Sequence, residues 1–158
     1  MTPKGIVLDA NILIRAVLGV KVSGLLIEYA ESVHFYAPRS AFAEAEAHLP
    51  GILRKRGVSR EALDMGLEGI RYLVQEVPSE AVAPLRVETL RRLGHRDPDD
   101  WPVAAAALVL GCPIWTEDKD FFGAGIATWT TDLVEIYLDD DSPGPQPTKR
   151  TDGRRPGV

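Results

Sequence analysis

The chain has 158 residues, of which 45% are hydrophobic and 26% charged, and its formal net charge at pH 7 is −5. This composition is typical of one soluble globular domain and excludes a chain that is disordered throughout. The acidic balance argues against nucleic-acid binding through a basic surface alone, although bound divalent cations would reverse the charge locally.

Cysteine usage and hydropathy predict a cytoplasmic protein. Cys112 is the single cysteine of the sequence, so no internal disulfide is possible and a reducing compartment is expected. The longest apolar run, 103–110, is too short to span a bilayer, and the N-terminus lacks a signal-peptide pattern. We therefore expect no membrane segment and no secretion.

In the first part of the chain, short apolar runs alternate with segments of helical period, a pattern typical of βαβ units around a parallel sheet. Two strands are predicted there, at 5–8 and 33–37. The predicted helices are 11–18, 23–31, one that Ser40 begins and Pro50 kinks or ends, and an amphipathic one that Ser59 caps.

The second part continues the alternation and ends in a different composition. Its predicted elements are a helix at 84–93, a helix from about 97–100 to Leu110, strands at 113–116 and 127–130, and a last helix, capped by Thr131 or Asp132, to Leu138. Residues 139–158 are rich in Pro, Gly and charge and cannot bury a core. We therefore predict one α/β domain over 1–138 and a disordered tail over 139–158.

Acidic residues lie where the carboxyl ends of the predicted strands would meet, which is where open parallel sheets bind ligands. Asp9 directly follows the first strand, with Asn11 two positions later, and Asp118 and Asp120 follow the strand at 113–116. Other acids stand near the starts of two helices, and these are Glu44, Glu46, Asp97, Asp99 and Asp100.

Each acid has an ordinary structural explanation as a helix cap, a turn residue or a solvated side chain. Their gathering at one edge is harder to explain, because mutual repulsion destabilises the fold unless a cation relieves it. Carboxylates without Cys or His select Mg²⁺ or Mn²⁺, and this chemistry predicts phosphodiester hydrolysis. Neither GxGxxG nor GxxxxGK[ST] occurs, so dinucleotide-binding and P-loop functions lose their main support.

Three stretches, 7–13, 99–104 and 115–121, together with a looser match at 38–44, are similar to the PIN-domain nucleases. The resemblance is strongest to the small single-domain members that include VapC-type toxins of toxin–antitoxin pairs. It implies a three-layer α/β/α sandwich with a central parallel sheet. It also implies a metal-dependent endoribonuclease that acts on RNA, forms a homodimer and is blocked by an antitoxin protein.

The resemblance also implies roles for individual residues. Carried over by position, the catalytic metal ligands for Mg²⁺ or Mn²⁺ would be Asp9, Glu44, Asp100 and Asp118, and the supporting residues would be Asn11, Thr116 and Asp120. Asp97 and Asp99 compete with Asp100, and Glu46 competes with Glu44. The number of ions stays open.

Two other functions fit parts of the pattern. One is a non-catalytic RNA-binding or protein-interaction module, since acids alone do not prove turnover. The other is a haloacid-dehalogenase-like hydrolase with Asp9 as nucleophile, but that class requires a DxD pair and position 11 is Asn. Substrate phosphates could be met by Arg15, Arg39, Lys119 or the basic run 54–56.

Overall fold

The structure is a computed structural model in which residues 4–94 and 96–140 are described. His95 and most of the predicted tail, from residue 141 onward, lie outside the described residues. The division of the chain at Leu138 therefore stays a prediction.

The centre of the fold is a five-stranded sheet with the order β3-β2-β1-β4-β5, in which every neighbouring pair is parallel. The strands are β1 (Lys4–Leu8), β2 (Val33–Pro38), β3 (Val74–Val77), β4 (Ile114–Trp115) and β5 (Thr128–Trp129). The predicted α/β class with a central parallel sheet is confirmed.

Eight helices are described between and after the strands. They are α1 (Ala10–Leu18), α2 (Val20–Glu28), α3 (Arg39–Lys55), α4 (Arg60–Leu73), α5 (Ser79–Val82), α6 (Arg86–Leu93), α7 (Trp101–Leu110) and α8 (Val134–Leu138), with 3-10 turns at Ala83–Leu85, Pro98–Asp100 and Lys119–Phe121. Within the described ranges no single helix is long and apolar enough to cross a membrane; α1 and α2 pass that test only as a pair, bent by 100°.

The core forms where two groups of helices flank the sheet. Helix α1 contacts α2, α3 and α4, whereas α7 contacts α5 and α6 and lies against β1, β2 and β4. The central strand is fully buried at Ile6, Val7 and Leu8. The run of buried alanines at 104–107 lets α7 approach the sheet closely, so the segment before α7 is held near the ends of the strands.

The elements differ from the sequence predictions in two places. Strand β3 was not predicted, because its four residues directly follow α4 without a turn signal. Helix α3 does not end at Pro50 but continues to Lys55, since Leu49 and Leu53 on either side are buried in the core. Tertiary packing therefore outweighs the local penalty of a helical proline.

The predicted helix caps are confirmed at some positions and wrong at others. The Ser59 hydroxyl accepts a hydrogen bond from the Ala62 amide at 3.2 Å and caps α4 as predicted. Helix α3 instead begins after Pro38, without a side-chain cap from Ser40. Helix α8 begins after Leu133 and is capped by neither Thr131 nor Asp132; the Thr131 hydroxyl instead accepts a hydrogen bond from the Trp115 indole at 3.1 Å.

Candidate metal centre

The strand order reverses at β1, which has β2 on one side and β4 on the other. In parallel sheets this reversal opens a crevice beyond the carboxyl ends of the strands. Asp9 follows β1 directly and Thr116 follows β4 directly. Asp9, which the sequence placed at this edge, and Thr116 therefore lie at the switch point of the sheet.

Asp9 is both a helix cap and a wall of the crevice. Its Oδ1 accepts a hydrogen bond from the Ile12 amide at 3.0 Å, and its Oδ2 accepts one from the Thr116 hydroxyl. The residue is only 6% exposed. Burial raises the pKa of Asp9 to about 6; the two hydrogen bonds oppose that rise, and the charges of Asp118 and Glu44 add to it.

A chain of hydrogen bonds orders the segment after β4. Thr116 is fully buried, and its hydroxyl oxygen accepts a hydrogen bond from the Asp118 amide at 2.9 Å. The Asp118 Oδ1 in turn accepts a hydrogen bond from the Asp120 amide at 2.9 Å. Thr116 thus links Asp9 to Asp118, and local backbone contacts fix the direction of the Asp118 carboxylate.

Asp100 lies at the start of α7, and one of its carboxylate oxygens is buried without a partner among the described residues. Its Oδ2 is buried and has no hydrogen-bond partner within the part of the chain that the structure describes. Burial is the largest cause that raises the pKa of Asp100 to about 7, followed by the negative charges of Asp118 and Asp97. Carboxylate oxygens of Asp100, Asp118 and Asp120 all lie within 4.8 Å of one another.

These side chains share one cleft of about 210 Å³, which we call the acidic cleft. Its acidic lining residues are Asp9, Glu44, Asp97, Asp99, Asp100 and Asp118, and Asn11 and Ser40 are its polar neutral ones. Asp120 belongs to the carboxylate cluster just described, and Thr116 lies behind Asp9. The structure therefore brings the predicted residues together.

The open alternatives differ in their positions. Glu44 lines the cleft, whereas Glu46, two residues later on α3, forms an ion pair with Arg71 of α4 at 2.5 Å. Asp97 accepts a hydrogen bond from the Asp99 amide at 3.0 Å and caps the 3-10 turn. Asp97 and Asp99 are both exposed, whereas Asp100 is partly buried.

Sequence reasoning missed one polar residue of the cleft, and the structure adds an observation on another residue. Ser40 was expected to cap α3, but it lines the cleft; its position two residues after β2 is the signal that could have found it. Asp120 was expected only to support the site, although its carboxylate lies with those of Asp100 and Asp118. Both follow a strand of the same sheet edge.

Comparison with known proteins gives one matching family and several solved structures of similar fold. The sequence model of the PIN domain matches residues 7–139. No curated protein sequence matches significantly. The crystal structure of PAE2754 from Pyrobaculum aerophilum has a TM-score of 0.62 at 15% identity, with 86% of this chain and 90% of that chain covered.

Two further solved structures are similar. VapBC2 from Rickettsia felis, bound to a DNA fragment from its promoter, has a TM-score of 0.58 at 14% identity, with 80% of this chain and 98% of that chain covered. FitAcB from Neisseria gonorrhoeae has a TM-score of 0.56 at 24% identity, with coverages of 80% and 97%. At these identities the likeness concerns the fold.

Proposed function

This chain belongs to the PIN domain family, and from that membership we propose that it is an endoribonuclease that hydrolyses RNA phosphodiester bonds with Mg²⁺ or Mn²⁺. The observation that carries the proposal is the buried, unpartnered Oδ2 of Asp100 beside the carboxylates of Asp118 and Asp120. A buried oxygen of this kind is unfavourable unless a cation or donor meets it.

The donor set fits a hard divalent cation. Carboxylate oxygens are the preferred ligands of Mg²⁺ and Mn²⁺. We propose Asp9, Glu44, Asp100 and Asp118 as the residues that hold the ion, with Asp120 close enough to contribute. Such an ion would supply an activated water and would neutralise the charge that develops on the phosphate.

The remaining residues would hold the ligands in place. Thr116 donates to one oxygen of Asp9 and the Ile12 amide donates to the other, so the Asp9 carboxylate keeps one orientation. Asn11, at the first turn of α1, lines the cleft with an amide that can donate to a substrate phosphate. Thr116 and Asn11 would thus act through hydrogen bonds rather than as ligands.

Substrate phosphates could approach along two arginines near the strand ends. Arg15 lies 3.9 Å from Glu117 and Arg39 lies 3.6 Å from Glu76, and both side chains are more than half exposed. Exposed ion pairs of this length contribute little to stability, so either arginine can exchange its carboxylate for a phosphate. The two arginines would then offset part of the repulsion between substrate phosphates and a chain of net charge −5.

The family neighbours support a partner protein. VapBC2 and FitAcB are the names of complexes, and the first is bound to promoter DNA. We propose that this chain is likewise the toxin of a cytoplasmic toxin–antitoxin pair, acts as a homodimer and is inhibited by its antitoxin. Purification from the native host, followed by identification of a co-purifying protein, tests the partner independently of catalysis.

The catalytic proposal is tested with mixed single-stranded RNA in the presence of Mn²⁺, Mg²⁺ or EDTA. We expect cleavage with the metals and none in EDTA, and we expect Asp118→Asn to lower the rate by at least about 100-fold. The matched control is Asp132→Asn, because Asp132 is an exposed acid paired with Lys21 outside the cleft. Cleavage in EDTA, or by Asp118→Asn at the wild-type rate, contradicts the mechanism; RNA binding without cleavage favours a non-catalytic module.

A further inference from the structure

The loop that follows Asp118 has an unusual backbone. We call residues 119–125 the distal loop; it begins with the 3-10 turn Lys119–Phe121 and contains two glycines of positive φ, +84° at Gly123 and +77° at Gly125. Phe121 and Ala124 are buried in the core, so the loop is attached to the core at these two residues. The rest of its course depends on other contacts.

Two arginines near the end of α6 supply those contacts. The Arg96 Nη1 donates a hydrogen bond to the carbonyl oxygen of Asp120 at 3.3 Å, and the Arg92 Nη1 donates one to the carbonyl oxygen of Ala124 at 3.4 Å. Arg92 is itself oriented by Glu88, whose Oε1 accepts from its Nε at 3.1 Å. Both guanidinium groups therefore bind the main chain of the same loop.

The two glycines let the arginines approach. A Cβ at Gly123 would lie 3.0 Å from a guanidinium nitrogen of Arg96, and a Cβ at Gly125 would lie 2.9 Å from one of Arg92. Any other residue would have to displace the guanidinium and would also adopt a strained positive φ. The loop sequence and the two arginines thus fit each other.

Arg96 connects the two segments that carry the clustered carboxylates. It directly precedes the 97–100 segment, which ends in Asp100, and it contacts the backbone of Asp120 beside Asp118. The carboxylates of these segments repel one another when no cation lies between them. The hydrogen bond goes to a carbonyl oxygen, so it can hold the segments together while the carboxylates stay available.

We propose that Arg96, with Arg92 behind it, is a positioning residue that keeps the distal loop against the 97–100 segment and so preserves the metal affinity of the acidic cleft. This inference rests on the proposed function. It predicts that loss of Arg96 weakens the binding of Mn²⁺ without removing any ligand.

The test is a Mn²⁺ titration of the thermal denaturation of the full chain, for wild type, Arg96→Ala, Arg96→Lys and Arg91→Ala. We expect the Mn²⁺ concentration for half of the Tm shift to rise about 10-fold in Arg96→Ala, and the Mn²⁺ concentration for half-maximal RNA cleavage to rise equally. Arg96→Lys should recover part of the affinity, because its ammonium can donate to the same carbonyl. Arg91→Ala is the matched control: Arg91 is an exposed arginine near the end of α6 whose guanidinium binds Glu88 instead of the distal loop.

A second readout needs no metal. Hydrogen exchange at the amides of Phe122 and Ala124, which bond to carbonyls inside the loop, should be at least about 10-fold faster in metal-free Arg96→Ala than in wild type, while β1 amides stay unchanged. If Arg96→Ala has the same Mn²⁺ midpoints and the same hydrogen-exchange rates as wild type, the inference is overturned and the proposed function is left intact. If wild type shows no response to Mn²⁺, the proposed function fails and the inference about metal affinity fails with it.

Discussion

Asp9 and Asp100 are two buried carboxylates that the fold holds beside other negative charges. Burial raises their pKa values to about 6 and about 7, respectively. Each side chain therefore binds a proton more tightly in the folded protein than in the unfolded chain. A side chain whose folded pKa is raised in this way destabilises the fold above its unfolded pKa, and a bound cation would remove that penalty.

This linkage predicts a pH dependence for the metal-free protein. Between about pH 4 and pH 6 the folded state keeps the Asp9 proton that the unfolded state has lost, so the free energy of unfolding falls as pH rises. From Asp9 alone the fall is roughly 2–3 kcal/mol. Urea denaturation in EDTA across pH 4 to 8 measures this fall as the difference in the free energy of unfolding between wild type and Asp9→Asn. The variant cannot titrate at this position. A difference that rises with pH through this window would contradict the assignment.

Thr116 offers a second prediction about a single residue. Thr116→Val removes the hydroxyl that donates to Asp9 and accepts from the Asp118 amide. We expect a loss of about 1–3 kcal/mol in the free energy of unfolding, because the buried Oδ2 of Asp9 and the partly buried amide of Asp118 both lose their partner. We also expect metal affinity to fall roughly 10–100-fold.

Thr116→Ser is the matched control, since it keeps the hydroxyl and removes only a methyl group. Urea denaturation measures the first effect and Mn²⁺ titration of the melting temperature measures the second. Equal Mn²⁺ affinities in Thr116→Val and Thr116→Ser would show that the hydroxyl does not order the site.

The sequence could predict some of these positions but not others. Asp9 and Asp118 follow strands, so the strand ends alone put them at one edge of the sheet. Glu44 and Glu46 are both on α3, and only tertiary structure shows that Glu44 lines the acidic cleft whereas Glu46 pairs with Arg71. The same holds for Asp100, whose burial depends on the packing of α7.

At the scale of elements, the glycine that follows α7 allows a test of how this helix is terminated. Gly111 has φ +63° and a left-handed conformation at the helix end. Gly111→Ala should destabilise the protein by about 1 kcal/mol, because a Cβ is strained there. The control is Gly69→Ala: Gly69 lies inside α4 with no atom within 4 Å of an added Cβ, so alanine should stabilise by about 0.5–1 kcal/mol. Urea denaturation of both variants measures the difference, and equal signs would contradict the account.

The elements themselves were predictable where their signals are local. Ser59 before α4 and Gly111 after α7 mark real helix ends. Strand β3 was missed because its strand identity comes from pairing with β2, from Phe35 with Val74 to Pro38 with Val77, and not from its own four residues. Non-local pairing of this kind leaves little trace in a short segment.

At the scale of the whole molecule, the strand order explains why acids distant in sequence meet. The reversal at β1 places the ends of β1 and β4 side by side, while α7 carries Asp100 to the same edge. An acidic protein can in this way bind a polyanion, provided that a cation occupies the place where the acids meet. The central claim is therefore that the acidic cleft is a divalent-cation site.

Thermal denaturation of wild type and Asp100→Asn at neutral pH, with EDTA or with Mn²⁺, tests this claim most directly. In EDTA, Asp100→Asn should have a higher Tm than wild type. The reason is that the buried oxygen without a partner no longer belongs to a charged group. With Mn²⁺, wild type should rise in Tm by several degrees, whereas Asp100→Asn should change little. A wild-type Tm that Mn²⁺ leaves unchanged, or an equal rise in both proteins, would contradict the account.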